Sequence, residues 1–303
     1  MKELKLYNQL RSFFIVSALV AAGLCSIIKA EEKFHNSFDV KISGKGEAVL
    51  FIHGYASSSS VWDQTVKFLQ NDFECHQIQL AGFAGRKAIN EEEYLSTVRD
   101  EIAEYIISNK LGKVRLVGHS MGGFLSLSIA SEYPELTKKI VSVDGLPFLG
   151  AVINPGATAE SMIPNAKKQF NYENDFAPSD YQMTNEQRMA MYRSMTIHED
   201  KFDVLLNWTK NSDGRTLNQA MFELMITDLR EDIKNIKSPV LCFGAWIAYK
   251  NWGATRESTK NLYSSLYKNV KDFSIELTDK GKHFIMWDDF EWFSKTLKEF
   301  LVK

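Results

Sequence analysis

Residues 114–123, V-R-L-V-G-H-S-M-G-G, hold a serine between glycines at a spacing suited to acyl transfer. Val114, Leu116 and Val117 predict a short buried strand. Met121 onward, with Phe124, Leu125, Leu127, Ile129 and Ala130 ahead of Pro134, predicts a helix with apolar residues at helical spacing. Ser120 then stands on a sharp strand-to-helix turn, its hydroxyl lifted off the sheet edge into a cleft. Such a turn needs strained backbone angles and close contact between strand and helix, which is why Gly118 and Gly122 carry no side chains. The turn also lies at a helix N-terminus, where the Met121 amide N–H would face the oxyanion formed when Ser120 attacks a carbonyl. A G-x-S-x-G can arise by chance in 303 residues; the strand before it, the helix after it and a further glycine at Gly123 argue against that.

The elements that must position this turn alternate between two hydrophobic periods. A buried strand at 48–52 runs into His53-Gly54-Tyr55-Ala56 and a serine run at 57–60, and a helix is predicted over 61–69. The strand at 75–80 ends at Gly82-Phe83-Ala84-Gly85 and leads to a charged amphipathic helix over 91–109. Beyond the nucleophile helix, a strand at 140–143 ends in Asp144-Gly145. The rhythm then breaks. Residues 146–229 show no convincing strand and are rich in Met, Asn, Gln and aromatics, with helices predicted around 185–196, 201–208 and 217–225. A strand at 239–243, a helix over 255–267, a strand at 273–277 and a closing helix over 288–301 complete the chain.

Strands alternating with helices over this length predict an α/β fold: a mostly parallel central sheet with helices on both faces. The interruption is read as a helical lid over the carboxyl edge of the sheet, the edge where ligands bind in such folds. Residues 31–145 and 230–303 are then the two parts of the core and 146–229 the insertion. Met183, Met189, Met191, Met195, Met221 and Met225 read as packing, and would also suit an apolar acyl pocket.

Composition bounds the partners. With 45% hydrophobic and 24% charged residues the chain is ordinary for a globular protein, and a net charge of -2 without a basic cluster interleaved with aromatics argues against nucleic acid. Residues 1–30 differ: Lys2, Lys5 and Arg11 precede an uncharged run at 12–28, then Lys29, Ala30 and the pair Glu31-Glu32. That is the pattern of a signal peptide cut after Ala30, predicting a periplasmic or secreted protein. An uncleaved anchor through residues 12–28 is the alternative, and the only basis for a membrane association. Removal of Lys2, Lys5, Arg11, Lys29 and Glu3 takes 36 basic and 38 acidic residues to 32 and 37, a net of -5. Cys75 and Cys242 would remain, both in strand-like runs, as buried free thiols rather than a disulfide or metal site.

From residue 40 to 301 the chain resembles the α/β-hydrolase fold family, in its lid-bearing serine esterase-like branch. The resemblance rests on His53-Gly54 after the first long strand, Gly82-x-x-Gly85 after the next, G-H-S-M-G-G, the D-L-R-x-D-I-x-x-I-x-x-P run at 228–239, and Gly281-x-His283 before the last helix. It implies a serine hydrolase with its triad in chain order Ser, acid, His, and no cofactor. His198 and His283 follow Ser120; His198, beside Glu199 and Asp200, reads as a solvated side chain, so His283 is the expected general base. His119 is expected to point away and pack, and His53 to shape the oxyanion loop, where the Tyr55 amide would be the second donor beside Met121.

The acid departs from the commonest family pattern. After the strand at 240–243 stands Gly244-Ala245-Trp246-Ile247-Ala248-Tyr249-Lys250, with no carboxylate until Glu257. Some family members carry the acid after the preceding strand instead, where Asp144 sits. Asp144 is preferred and Glu257 is the alternative; Asp144 would also suit a plain turn before Gly145. Trp246 and Trp252 would narrow the substrate site or simply pack, and Asp228 reads as structural.

The leading expectation is an exported carboxylesterase acting on small acyl esters through an acyl-enzyme on Ser120. A lactonase, an amidase or aminopeptidase, or a C–C bond hydrolase would use the same triad, since lid and pocket set substrate choice. Epoxide and haloalkane hydrolysis is disfavoured because those relatives carry aspartate where Ser120 stands. A ligand-binding protein without turnover is the third possibility, kept open by the missing acid at its common site.

Overall fold

The runs E-A-V-L-F-I and V-R-L-V-G-H become strands buried along nearly their whole length, β2 (Glu47–Ile52) and β4 (Val114–His119), because both lie inside a parallel sheet covered on its two faces. The structure is a computed structural model that describes residues 36–154, 156–170 and 183–303. The expected signal segment at 1–30 and, of the expected lid, residues 155 and 171–182 lie outside the described residues. β1 (Phe38–Gly44), β3 (Phe73–Leu80), β5 (Thr137–Val143), β6 (Val240–Gly244) and β7 (Phe273–Leu277) complete one sheet in the order β1-β3-β2-β4-β5-β6-β7. β1 runs antiparallel to β3, and all other pairings are parallel.

This order places the ends of β2 and β4 side by side while the chain leaves them in opposite directions, β2 toward β3 and β4 toward β5. In open sheets of this kind ligands bind at that switch point, outside the carboxyl ends of the strands. The loop after β2 and the turn after β4 are therefore brought together by topology alone.

Helices α1 (Asp63–Leu69), α2 (Tyr94–Ser108) and α3 (Met121–Glu132) follow β2, β3 and β4. Between β5 and β6 lie α4 (Gly150–Ile153), α5 (Ala159–Gln169), α6 (Asn185–Met195), α7 (Phe202–Lys210) and α8 (Gly214–Ile226). α9 (Arg256–Leu266) follows β6, and α10 (Ile285–Asp288) and α11 (Phe290–Val302) end the chain. α3 is buried from Met121 to Ser131, so its serines need internal partners. Ser126 and Ser131 donate to the carbonyls of Gly122 and Leu127 one turn back, both at 2.8 Å.

Several boundaries move for tertiary reasons. The helix expected over 91–109 begins at Tyr94 because the Glu223 carboxylate on α8 accepts the Tyr94 and Leu95 N–H groups at 2.8 and 2.7 Å, a cap supplied from 128 residues away. The helix expected over 61–69 opens with a 3-10 turn at Ser59–Trp62, and the closing helix breaks between Asp288 and Phe290. The inserted helices are tied to the core again where Asn211 and Ser212 accept the Gly85 and Ala84 N–H groups at 2.7 and 2.9 Å. Cys75 and Cys242 are buried and unbridged, and burial pushes the Cys75 thiol up to about 12. Among the described residues no helix is long and apolar enough to cross a membrane.

Candidate active site

Ser120 and Asp144 are built by the same device on neighbouring strands. Each is the first residue past its strand, and each still ladders to the next one: Ser120 N–H to Val143 O at 2.9 Å, Asp144 N–H to Phe243 O at 2.7 Å. Each then turns to positive φ, 53° and 50°, which throws its side chain out of the pleat above the carboxyl edge. A non-glycine residue in that region costs on the order of 1 kcal/mol or more and persists only where its surroundings enforce it. Here they do. A Cβ on Gly118 would lie 2.0 Å from Gly122 O, and one on Gly122 would lie 2.2 Å from Ile52 O, so strand meets helix and helix meets the end of β2 through backbone alone.

The loop after β7 brings His283 to Asp144. His283 Nδ1 lies 2.6 Å from Asp144 Oδ2, with the Asp144 side chain 0% exposed and that of His283 16%. A carboxylate only accepts, so Nδ1 carries the proton and Nε2 is left as the basic nitrogen. The other carboxylate oxygen, Oδ1, accepts Tyr263 O–H at 2.5 Å and Ala245 N–H at 3.1 Å. Glu257, the alternative acid, is exposed in the first turn of α9.

His119 holds this loop against the turn after β4. Its Nε2–H donates to the His283 carbonyl at 3.0 Å, and the two rings lie 4.5 Å apart, centre to centre. The expectation of plain packing is corrected in this respect: His119 is a strut between β4 and the loop of the second histidine. Burial first, then the nearby His283 ring, holds it well below the usual imidazole range, so it stays neutral.

His53 organises the loop after β2. Its Nε2 accepts Leu80 N–H at 3.0 Å, so its proton sits on Nδ1, which lies 2.7 Å from Gly54 O. Pulling the Gly54 carbonyl toward His53 directs the Tyr55 N–H of the same trans peptide the opposite way. Gly54 borders Ser120 closely: a Cβ there would be 3.1 Å from Ser120 Cβ. Met121 N–H belongs to the first turn of α3, whose amides lack partners within the helix.

Burial drives His53 from its usual 6.5 to about 4. The folded state takes up this proton only near pH 4, whereas the unfolded chain takes it up near 6.5, so stability is full above 6.5 and is lost as pH falls through that window. The expected loss is roughly 3 kcal/mol between pH 6.5 and 4. Urea unfolding across that range should show the slope in the native protein and a flatter one in His53→Gln; parallel slopes would contradict the assignment.

Sequence reasoning missed the frame of the His283 loop. Thr278 Oγ1 accepts Lys280 and Gly281 N–H at 3.1 and 2.9 Å, a serine/threonine turn that T-D-K-G could have signalled. Buried Asp288 accepts Lys282 N–H at 2.8 Å and Thr196 O–H at 2.5 Å, joining the loop to the end of α6, and nothing local in the sequence marks that pairing. Other expected residues lie apart from the site. His198 is 42% exposed beside Asp200, Asp228 pairs with Arg230 at 2.6 Å, and Trp246 donates to Asp279 at 3.0 Å. The Trp252 side chain lies outside the described ones. Among the described residues no cluster could hold a metal ion.

Known proteins share this arrangement of elements. The sequence pattern of the alpha/beta hydrolase fold family matches residues 47–233. Pimeloyl-[acyl-carrier protein] methyl ester esterases of Vibrio atlanticus and Vibrio cholerae are 27% and 26% identical, over 66% of this chain and 76% of theirs. Among solved structures, the enol-lactonase from Burkholderia xenovorans superposes with a TM-score of 0.69 at 14% identity, covering 88% of this chain and 96% of its own. A thermophilic esterase from Thermogutta terrifontis gives 0.67 at 16%, covering 87% and 92%. At such identities these two likenesses speak for the fold alone.

Proposed function

The chain belongs to the α/β-hydrolase fold family and is a hydrolase of esterase type, and within that class we propose that it cleaves small carboxylic esters through an acyl-enzyme on Ser120. The observation that carries this reading is the 2.6 Å contact between His283 and Asp144 on a loop strapped to the residue beside Ser120. In this reading His283 Nε2 takes the Ser120 proton as Oγ attacks the acyl carbonyl. Asp144 holds the imidazole in the tautomer that leaves Nε2 free and stabilises the imidazolium that forms. The Met121 and Tyr55 amides receive the oxyanion, His283 protonates the departing alcohol, and water activated by the same nitrogen releases the acid. The methyl ester esterase activity of the relatives supports an ester rather than an amide as substrate.

The inserted helices are proposed as the lid that sets acyl-chain choice. Residues 1–30, with their basic head and apolar run, support export. The test is a panel of p-nitrophenyl esters from acetyl to decanoyl, beside lactones and aminoacyl amides, given to the purified chain without residues 1–30. Saturable ester turnover with short acyl chains favoured is the expected result. Turnover of lactones or amides alone would overturn the ester reading, and turnover of nothing would overturn the enzyme.

A further inference from the structure

Asp144 stands just past β5, while the family's commonest acid site, after β6, is empty of carboxylates up to Glu257. The elements around that vacated site are turned toward Asp144 instead. The end of β6 donates Ala245 N–H, and α9, the helix that follows, donates Tyr263 O–H. We propose that Tyr263 is a positioning residue: its hydroxyl fixes the Asp144 carboxylate through Oδ1 and thereby sets both the orientation and the basicity of His283. The inference rests on reading Asp144 and His283 as the acid and base of the proposed esterase.

Three features separate this role from packing. At 2.5 Å the O–H···O contact lies in the short range of charge-assisted hydrogen bonds, and Asp144 is its acceptor inside the core. Four residues on, at the C-cap of α9, Tyr267 donates to Gly145 O at 2.7 Å, so the two tyrosines grip consecutive residues of the turn. Burial and the neighbouring Asp144 hold the Tyr263 phenol far above its usual range, so it remains a donor at any pH where an esterase works.

A donor on Oδ1 draws charge away from the carboxylate. Without it Oδ2 is more basic, the His283 imidazolium is better stabilised, and the pKa of His283 rises. The other titratable groups facing the pair are His119 against the His283 ring, Cys242 on β6, Tyr249 after it and Tyr267 just past α9, and Tyr263→Phe keeps every one of these side chains.

The experiment compares wild type, Tyr263→Phe and Tyr267→Phe. His283 is titrated by NMR through its ring protons, and kcat and KM are measured against pH on a p-nitrophenyl ester. In Tyr263→Phe the pKa of His283 and the acidic limb of kcat/KM should rise together by about one pH unit, with kcat down about tenfold and KM unchanged. Tyr267→Phe, which loses a bond to a carbonyl, should leave the His283 pKa in place. An unchanged His283 pKa in a folded Tyr263→Phe overturns the inference. Should that variant fail to fold, 3-fluorotyrosine at 263, a stronger donor, should lower the His283 pKa, and no shift there overturns it equally. The titration needs no turnover, so an inert wild type would sink the esterase reading while the role of Tyr263 is judged on its own.

Discussion

Ser120→Ala is expected to abolish ester turnover, lowering kcat by about 10⁶-fold while leaving the fold intact. The size follows from the mechanism: the hydroxyl is the atom that forms the bond, and without it His283 and Asp144 can at best assist water. The fold should tolerate the change because the Ser120 side chain does not cap α3, and alanine keeps the Cβ that already sits at φ 53°. Melting temperature should therefore shift little. Residual activity near the wild-type level in a folded Ser120→Ala would mean that another group performs the attack.

Asp144→Asn should lower kcat by about 10³- to 10⁴-fold, the cost of presenting the wrong imidazole tautomer. The surroundings make asparagine unusually unwelcome here. Oδ1 already faces two donors, Tyr263 O–H and Ala245 N–H, and Oδ2 faces the His283 Nδ1 proton. An amide group turned toward His283 forces the imidazole proton onto Nε2, where it blocks the base. Turned the other way, it sets an N–H against the Ala245 N–H. Glu257→Gln, on an exposed helix turn, should leave kcat within about twofold. The measurement is kcat for both variants on one ester; a large loss in Glu257→Gln together with a mild one in Asp144→Asn would exchange their roles.

The sheet was legible because its strands are short apolar runs bounded by glycine, aspartate and proline, and the one at 273–277 falls at the boundaries expected of it. The nucleophile turn was legible because its backbone contacts demand glycine on both sides of Ser120 and tolerate nothing larger. What escaped was long-range hydrogen bonding. Glu223 starts α2 from the far side of the insertion, Asp288 binds the His283 loop to Thr196, and His119 serves as a strut where packing was expected. These are single polar contacts between residues 90 or more positions apart, and neither periodicity nor local turn chemistry carries them. The acid shows the boundary well. Sequence pattern narrowed it to Asp144 or Glu257; His283 lies against Asp144, and Glu257 is exposed on α9.

The central claim, a serine activated by a histidine from a loop 163 positions onward, meets its most direct test in covalent labelling. The purified protein is treated with a fluorophosphonate, digested, and the adduct located by mass spectrometry. A single adduct on Ser120, formed more slowly at pH values where His283 is protonated and nearly lost in Asp144→Asn, is the predicted result. A folded protein that takes no label, or takes it on another residue, would contradict the account.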